Sequence, residues 1–183
     1  SDIWLIKLDA NGVLLWQKVL GGSGGDGVYA VSKTTNGYML GCTSYSNISG
    51  DKSENCRGNI DYWLIKIDEN ATVIWDRTYG GNDYDHIYGI DSFDDGGTIM
   101  VGFSDSNISG EKTENVYGGS GSDGWMVRVD ANGNILWDKD IGSDTDGDGL
   151  LKVLVFSNNT IYTTGSNYST PSGNITVPGY GGI

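Results

Sequence analysis

Three aspartates at alternate positions followed by glycine, Asp144-x-Asp146-x-Asp148-Gly149, are the residues whose spacing points most directly to chemistry. Hard carboxylate oxygens two residues apart can wrap a calcium ion, and the glycine lets the loop bend around it. The pattern then breaks off. Lys152 and Val155 stand at the ninth and twelfth positions, where further oxygen ligands are needed. The competing reading is a solvated acidic loop whose last aspartate, Asp148, caps a strand start. Asp26 and Asp85 are its carboxylate counterparts elsewhere in the chain. Ca²⁺ at Asp144, Asp146 and Asp148 is the one cofactor candidate; no other is expected.

Other chemistry is sparse. Cys42 and Cys56 are the only cysteines, and both fall in one long connection. Their counterparts in the next similar segment are Phe103 and Val116, so the two are present together and absent together, which predicts a disulfide. Closing a loop of about 15 residues would stabilise by roughly 3 kcal/mol and implies an oxidising compartment. The alternative is a buried thiol at Cys42 and an exposed one at Cys56. His86 is the sole histidine, so no His-based metal or nucleophile cluster can be assembled, and it reads as a surface loop residue. Asp83 and Asp85 could in principle pair as glycosidase carboxylates, but nothing distinguishes them from loop acids. Tyr45, Tyr117 and Tyr168 lie in loops and are candidates for ligand contact. No catalytic residue is assigned.

Composition narrows the partners. Eleven basic against twenty-four acidic residues leave a net charge of −13. Phosphate backbones and anionic lipid surfaces would be repelled. No apolar run approaches the length that spans a bilayer. Neither a nucleic-acid partner nor membrane insertion is expected.

The elements that must position these residues are repeated. Trp4, Trp63 and Trp125 form one series and Trp16, Trp75 and Trp137 another, with the same intervals of 59 and 62 residues. Around them Trp4-Leu-Ile-Lys-Leu-Asp9, Trp63-Leu-Ile-Lys-Ile-Asp68 and Trp125-Met-Val-Arg-Val-Asp130 align, and Asn47–Asn55 recurs as Asn107–Asn115. Three units of about 61 residues, 1–60, 61–122 and 123–183, account for the chain. Each reads as four short strands with period-two alternation and Asx-Gly turns, such as Asn11-Gly12 and Asn132-Gly133. Asn70-Ala71 weakens the turn in the second unit. No segment shows helical periodicity. The chain is all-β, and four antiparallel strands repeated at this period predict a β-propeller in which each unit is one blade. A bulky residue needed in every blade predicts that all six tryptophans are packing residues between blades.

At these residues the chain resembles the bacterial β-propeller repeat known as the SBBP repeat. It is especially similar to versions in secreted and cell-surface proteins of Bacteroidota exported by type IX secretion. The likeness runs through Asp61-Tyr-Trp-Leu-Ile-Lys-Ile-Asp68, Val73-Ile-Trp75, Gly80-Gly81-Asn-Asp-Tyr-Asp85 and Gly89-Ile90-Asp91 to Val101-Gly102, and extends over all 183 residues. It implies that each blade starts at the strand after the glycine-rich stretch. Two whole blades, about 27–79 and 86–141, would then be flanked by half blades in an incomplete ring. The missing partners are the remaining blades of a larger chain, or, alternatively, further copies that close the ring by self-association. The family brings no shared catalytic residues. It implies an extracellular or cell-surface binding, adhesion or passenger module that presents its long-loop face to a protein or carbohydrate. A polysaccharide-active enzyme and a structural spacer are the alternatives.

Overall fold

The computed structural model describes residues 1–183 except 120, 145–146, 168–170 and 179–183. Among the described residues it contains twelve antiparallel strands and one short 3-10 turn, Tyr117–Gly119. The strands are β1 (Ile3–Leu8), β2 (Leu14–Leu20), β3 (Asp26–Thr34), β4 (Gly37–Ser44), β5 (Asp61–Ile67) and β6 (Val73–Tyr79). They continue as β7 (Asp85–Ser92), β8 (Thr98–Ser104), β9 (Asp123–Val129), β10 (Ile135–Ile141), β11 (Gly149–Val155) and β12 (Ile161–Ser166).

An aspartate seeds the hairpins β1–β2, β5–β6 and β9–β10. The Asp9 carboxylate accepts the N–H groups of Asn11 (2.8 Å) and Val13 (2.9 Å). Asp68 holds Asn70 and Thr72, and Asp130 holds Asn132 and Asn134, in the same way. These are Asx-turns, in which a short side chain replaces a backbone turn acceptor. Each closes through a residue with positive φ: Gly12 (80°), Gly133 (82°) and Ala71 (59°). The turn in the second unit therefore survives the loss of glycine, because the aspartate, not the glycine alone, specifies it.

The strands form four sheets in chain order: β1-β2, β3-β4-β5-β6, β7-β8-β9-β10 and β11-β12. They pack face to face through three apolar layers. Ile3 and Leu20 meet Leu40, Trp63 and Ile65 between the first two sheets. Tyr62, Leu64 and Tyr79 meet Ile87, Trp125 and Val127 between the middle two. Ile99 and Val101 meet Leu150 and Val153 between the last two. The strand β7 touches both β3 and β11, so the first strands of successive sheets converge.

The tryptophans do not share one environment. Trp63 and Trp125 are fully buried, and Trp16 and Trp75 are partly buried against the apolar layers. Trp4 and Trp137 are exposed. Their sheet faces lack the strands that cover the equivalent rings elsewhere.

The disulfide expected between Cys42 and Cys56 is not formed; both are free thiols. Cys42 faces the apolar layer with Leu40 and Trp63. The Cys56 thiol lies 3.1 and 3.2 Å from the carbonyl oxygens of Ser44 and Ser46 and donates to them. Strand register also changes the counterpart of Cys42. Val28 opposes Cys42 as Ile87 opposes Gly102, so Gly102, not Phe103, holds its place. A Cβ at Gly102 would sit 1.9 Å from the His86 carbonyl oxygen. Backbone proximity, not loss of a bridge, excludes a side chain there.

Candidate functional site

The long connections leave the sheets on one side, and their polar residues are mostly bound internally. Asp26 accepts from Gly22 N–H (2.7 Å), Ser44 Oγ (2.5 Å) and Ser46 Oγ (2.9 Å). Asp85 does the same with Gly81 N–H, Ser104 Oγ and Ser106 Oγ. Asp148 accepts from Ser143 Oγ at 2.6 Å. These buried carboxylates tie each glycine-rich connection to the start of β3, β7 or β11. Burial pushes the Asp85 carboxyl up to about 6, although its hydrogen bonds pull the other way. A second buried acid follows the same pattern. Asp61 accepts Arg57 N–H at 2.5 Å, and Asp123 accepts Tyr117 N–H at 2.6 Å. Gly80 and Gly142 pass so close to these carboxylates that a Cβ would approach them to 2.1 and 2.0 Å.

The connection 45–60 is docked rather than free. Lys52 is buried, donates to the Thr78 hydroxyl and lies 5.1 Å from the Trp63 ring centroid. Asp76 accepts both Trp63 Nε1–H (2.9 Å) and Ser53 N–H (2.9 Å). In the next copy Lys112 pairs with Asp140, and Asp138 receives Trp125 and Thr113. A third version, not evident in the sequence alignment above, runs through Ser172-Gly173-Asn174-Ile175. Its Asn174 N–H bonds the Gly142 carbonyl, as Asp51 bonds Gly21 and Glu111 bonds Gly80. The Ser172–Ile175 bridge likewise matches Ser49–Lys52 and Ser109–Lys112.

What this face leaves available is aromatic. Each first strand carries a bulge at the same place: the pairing shifts at Tyr29 in β3, Tyr88 in β7 and Leu151 in β11. Bulges re-aim the unpaired side chain. The Tyr29 and Tyr88 rings meet at 5.9 Å between centroids, and His86 enters the same cluster, 4.5 Å from Tyr29 and stacked on Phe103 at 5.5 Å. The ring Nδ1 of His86 lies 3.1 Å from the Ile87 carbonyl, which can only accept. With that proton on Nδ1, Nε2 accepts the Tyr29 hydroxyl at 3.1 Å. Burial lowers the His86 pKa and keeps the ring neutral. His86 thus belongs to strand β7 and is half-buried, unlike the expected surface loop residue. Beside it a recess of 120 Å³ is lined by Tyr29, Tyr45, Thr43, Asp26, Ile60 and His86, among others. Pockets that engulf a small molecule run to roughly 300–1,000 Å³, so this recess suits the tip of a ligand lying across the surface.

Among the expected ligand contacts, Tyr45 is exposed on the rim of this recess. Tyr117 is half-buried and packs over Gly173, with a Cβ there 2.9 Å from its Cδ1. Tyr168 lies outside the described residues, as does Asp146. Asp144 is exposed, with its N–H on Ser172 Oγ, whereas Asp148 is buried in its serine contact. Among the described residues no group of three or more His, Cys, Asp or Glu side chains could hold a metal ion. Asp83 is exposed while Asp85 is buried, so these two acids do not form a matched pair. The sequence reading passed over Tyr29 and Tyr88, although they occupy one repeat position.

No protein-family model matches the chain, and no curated protein matches it.

Proposed function

We propose that this chain is a β-propeller binding module, non-catalytic and displayed outside the cell, that takes a neutral carbohydrate at the loop ends of its first strands. The propeller reading is supported by four sheets stacked face to face in chain order with β3, β7 and β11 converging. Export is supported by the resemblance to secreted repeats alone, since free Cys42 and Cys56 carry no oxidising signature. The observation that carries the binding reading is the aromatic cluster: Tyr29 and Tyr45 are exposed beside a shallow recess that His86 also lines. Flat rings tipped with hydroxyl groups suit a ligand with apolar faces and hydroxyl edges. The net charge of −13 disfavours an acidic glycan.

An array of neutral oligosaccharides, followed by calorimetric titration of the best binder, tests this. Binding weakened at least tenfold by Tyr29→Ala/Tyr45→Ala is the expected result. Absence of any neutral glycan ligand, or equal affinity in the double variant, overturns the reading.

A further inference from the structure

The aromatic cluster lies at the junction of the two four-stranded sheets, and one of its members has no repeat counterpart. His86 follows the buried Asp85, whereas the residues that follow Asp26 and Asp148 are Gly27 and Gly149. Two of the three strand starts therefore form without a side chain here, so the fold does not require the imidazole. It is nevertheless held firmly. The ring stacks on Phe103 within 7° of parallel, and Tyr88 packs beside it at 4.7 Å between centroids. The bulge in β3 re-aims Tyr29 across the junction, where it meets His86 edge-on at 4.5 Å.

The direction of the hydrogen bonds follows by elimination. The Ile87 carbonyl can only accept, so Nδ1 carries a proton whatever the charge of the ring. In the neutral ring Nε2 is then an acceptor, and the Tyr29 hydroxyl gives it its one proton. Tyr29 is 45% exposed and lines the recess, so its oxygen offers only lone pairs to whatever lies there. A phenol free to turn donates or accepts; this one only accepts. In the imidazolium both nitrogens donate. Nε2–H then occupies one lone pair of the Tyr29 oxygen, and the hydroxyl proton turns outward.

We infer that His86 determines the specificity of the recess: the neutral imidazole makes Tyr29 select groups that donate a hydrogen bond over ethers and carbonyls, and protonation of the ring abolishes that selection. In a glycan the selected group is a free hydroxyl rather than a ring, glycosidic or acyl oxygen. The occupant rests on the carbohydrate reading above; the direction of the hydrogen bonds does not. Few charges compete with this couple. From β3, Asp26 lines the recess but is buried in its Gly22, Ser44 and Ser46 contacts. In β7, Asp85 is likewise turned to Ser104 and Ser106, and burial raises the Tyr88 phenol and keeps it uncharged. β8 presents the neutral Phe103. From β11, Lys152 donates to the Tyr88 carbonyl at 3.2 Å, and Ser1 also lines the recess.

His86 is the sole histidine, so nitrogen-correlated NMR reads its imidazole without overlap. The ring should show the Nδ1–H tautomer at neutral pH and titrate with a midpoint below 6.5. Cyclohexanol and its methyl ether share an apolar ring and differ in the donor, and shifts of the Tyr29 and His86 ring signals measure their affinities. At neutral pH cyclohexanol should bind about fivefold tighter than the ether. Where the titration shows His86 protonated, the difference should disappear. His86→Gly supplies the residue of the other two copies, should remain folded by circular dichroism, and should show no preference at either pH. The same variant separates the effect from Asp85, whose carboxyl titrates at about 6. An Nε2–H tautomer at neutral pH, or a ring still unprotonated when the chain unfolds in acid, overturns the inference. So do equal or undetectable affinities of the two probes at neutral pH, or a preference that persists in His86→Gly. These readouts use no glycan, so their failure is distinct from that of the oligosaccharide array.

Discussion

Lys112 is the residue whose chemistry departs furthest from its setting. Its side chain is fully buried, pairs with Asp140 and lies 5.6 Å from the Trp125 ring centroid. Burial pushes the Asp140 carboxyl up to about 7, with Lys112 pulling it back down. The other copies show how the site can be filled differently. Lys52 meets the neutral Thr78 hydroxyl, and Ile175 stands where a lysine would be. Removing one member of a buried pair strands the other charge at a cost of about 3–5 kcal/mol, whereas replacing both is often neutral. Lys112→Met should therefore lower unfolding free energy by that amount in urea titration at pH 8, where Asp140 is ionised, and Lys112→Met/Asp140→Thr should recover most of it. A double variant no more stable than the single one contradicts this account. The recurrence of Lys52 and Lys112 was plain in the sequence. Their burial was not, because a lysine in a polar segment carries no mark of the tryptophan it covers, which arrives only at Trp63 or Trp125.

At the scale of elements, strand alternation and Asx turns show where the hairpins are, because both are local properties of the chain. Partner-dependent features escape this reading. The bulges at Tyr29, Tyr88 and Leu151 exist only relative to β4, β8 and β12. The counterpart of Cys42 became Gly102 only once register was known. The docking of connection 45–60 is a partner-dependent feature of the same kind, and Asp76 is its pin. That one carboxylate holds the buried Trp63 indole and the Ser53 backbone. Asp76→Ala leaves two donors without their acceptor, each worth about 1–3 kcal/mol when buried. It should destabilise by roughly 2–4 kcal/mol and open the connection to limited proteolysis. Gln17 plays the corresponding part for exposed Trp4, so Gln17→Ala should change stability by less than about 0.5 kcal/mol. Equal effects of the two substitutions in parallel urea titrations would rule out the pinning role.

For the molecule as a whole, the buried acids set an unusual dependence on pH. Burial raises Asp61 and Asp85 to about 6 and Asp140 to about 7, from an ordinary value of 3.8. Between the ordinary and the raised values the folded chain holds protons that the unfolded chain has lost, so stability falls as pH rises through this window. The turn aspartates act in the opposite sense and lower down. Backbone N–H groups depress Asp9 and Asp68, and Asn134 together with backbone N–H groups depresses Asp130, so their contribution is lost only as pH drops below the ordinary carboxylate range. His86, with its pKa lowered by burial, favours folding above 6.5 and opposes the three raised acids with a single group. The net charge of −13 adds self-repulsion that grows as the carboxyls ionise. The melting temperature should accordingly peak at about pH 4–5 and decline toward pH 8, the reverse of a protein stabilised by exposed ion pairs. Calorimetric scans from pH 3 to 8 measure this directly, and a melting temperature at pH 8 equal to or above that at pH 5 would show that the buried carboxyls are not protonated in the folded chain.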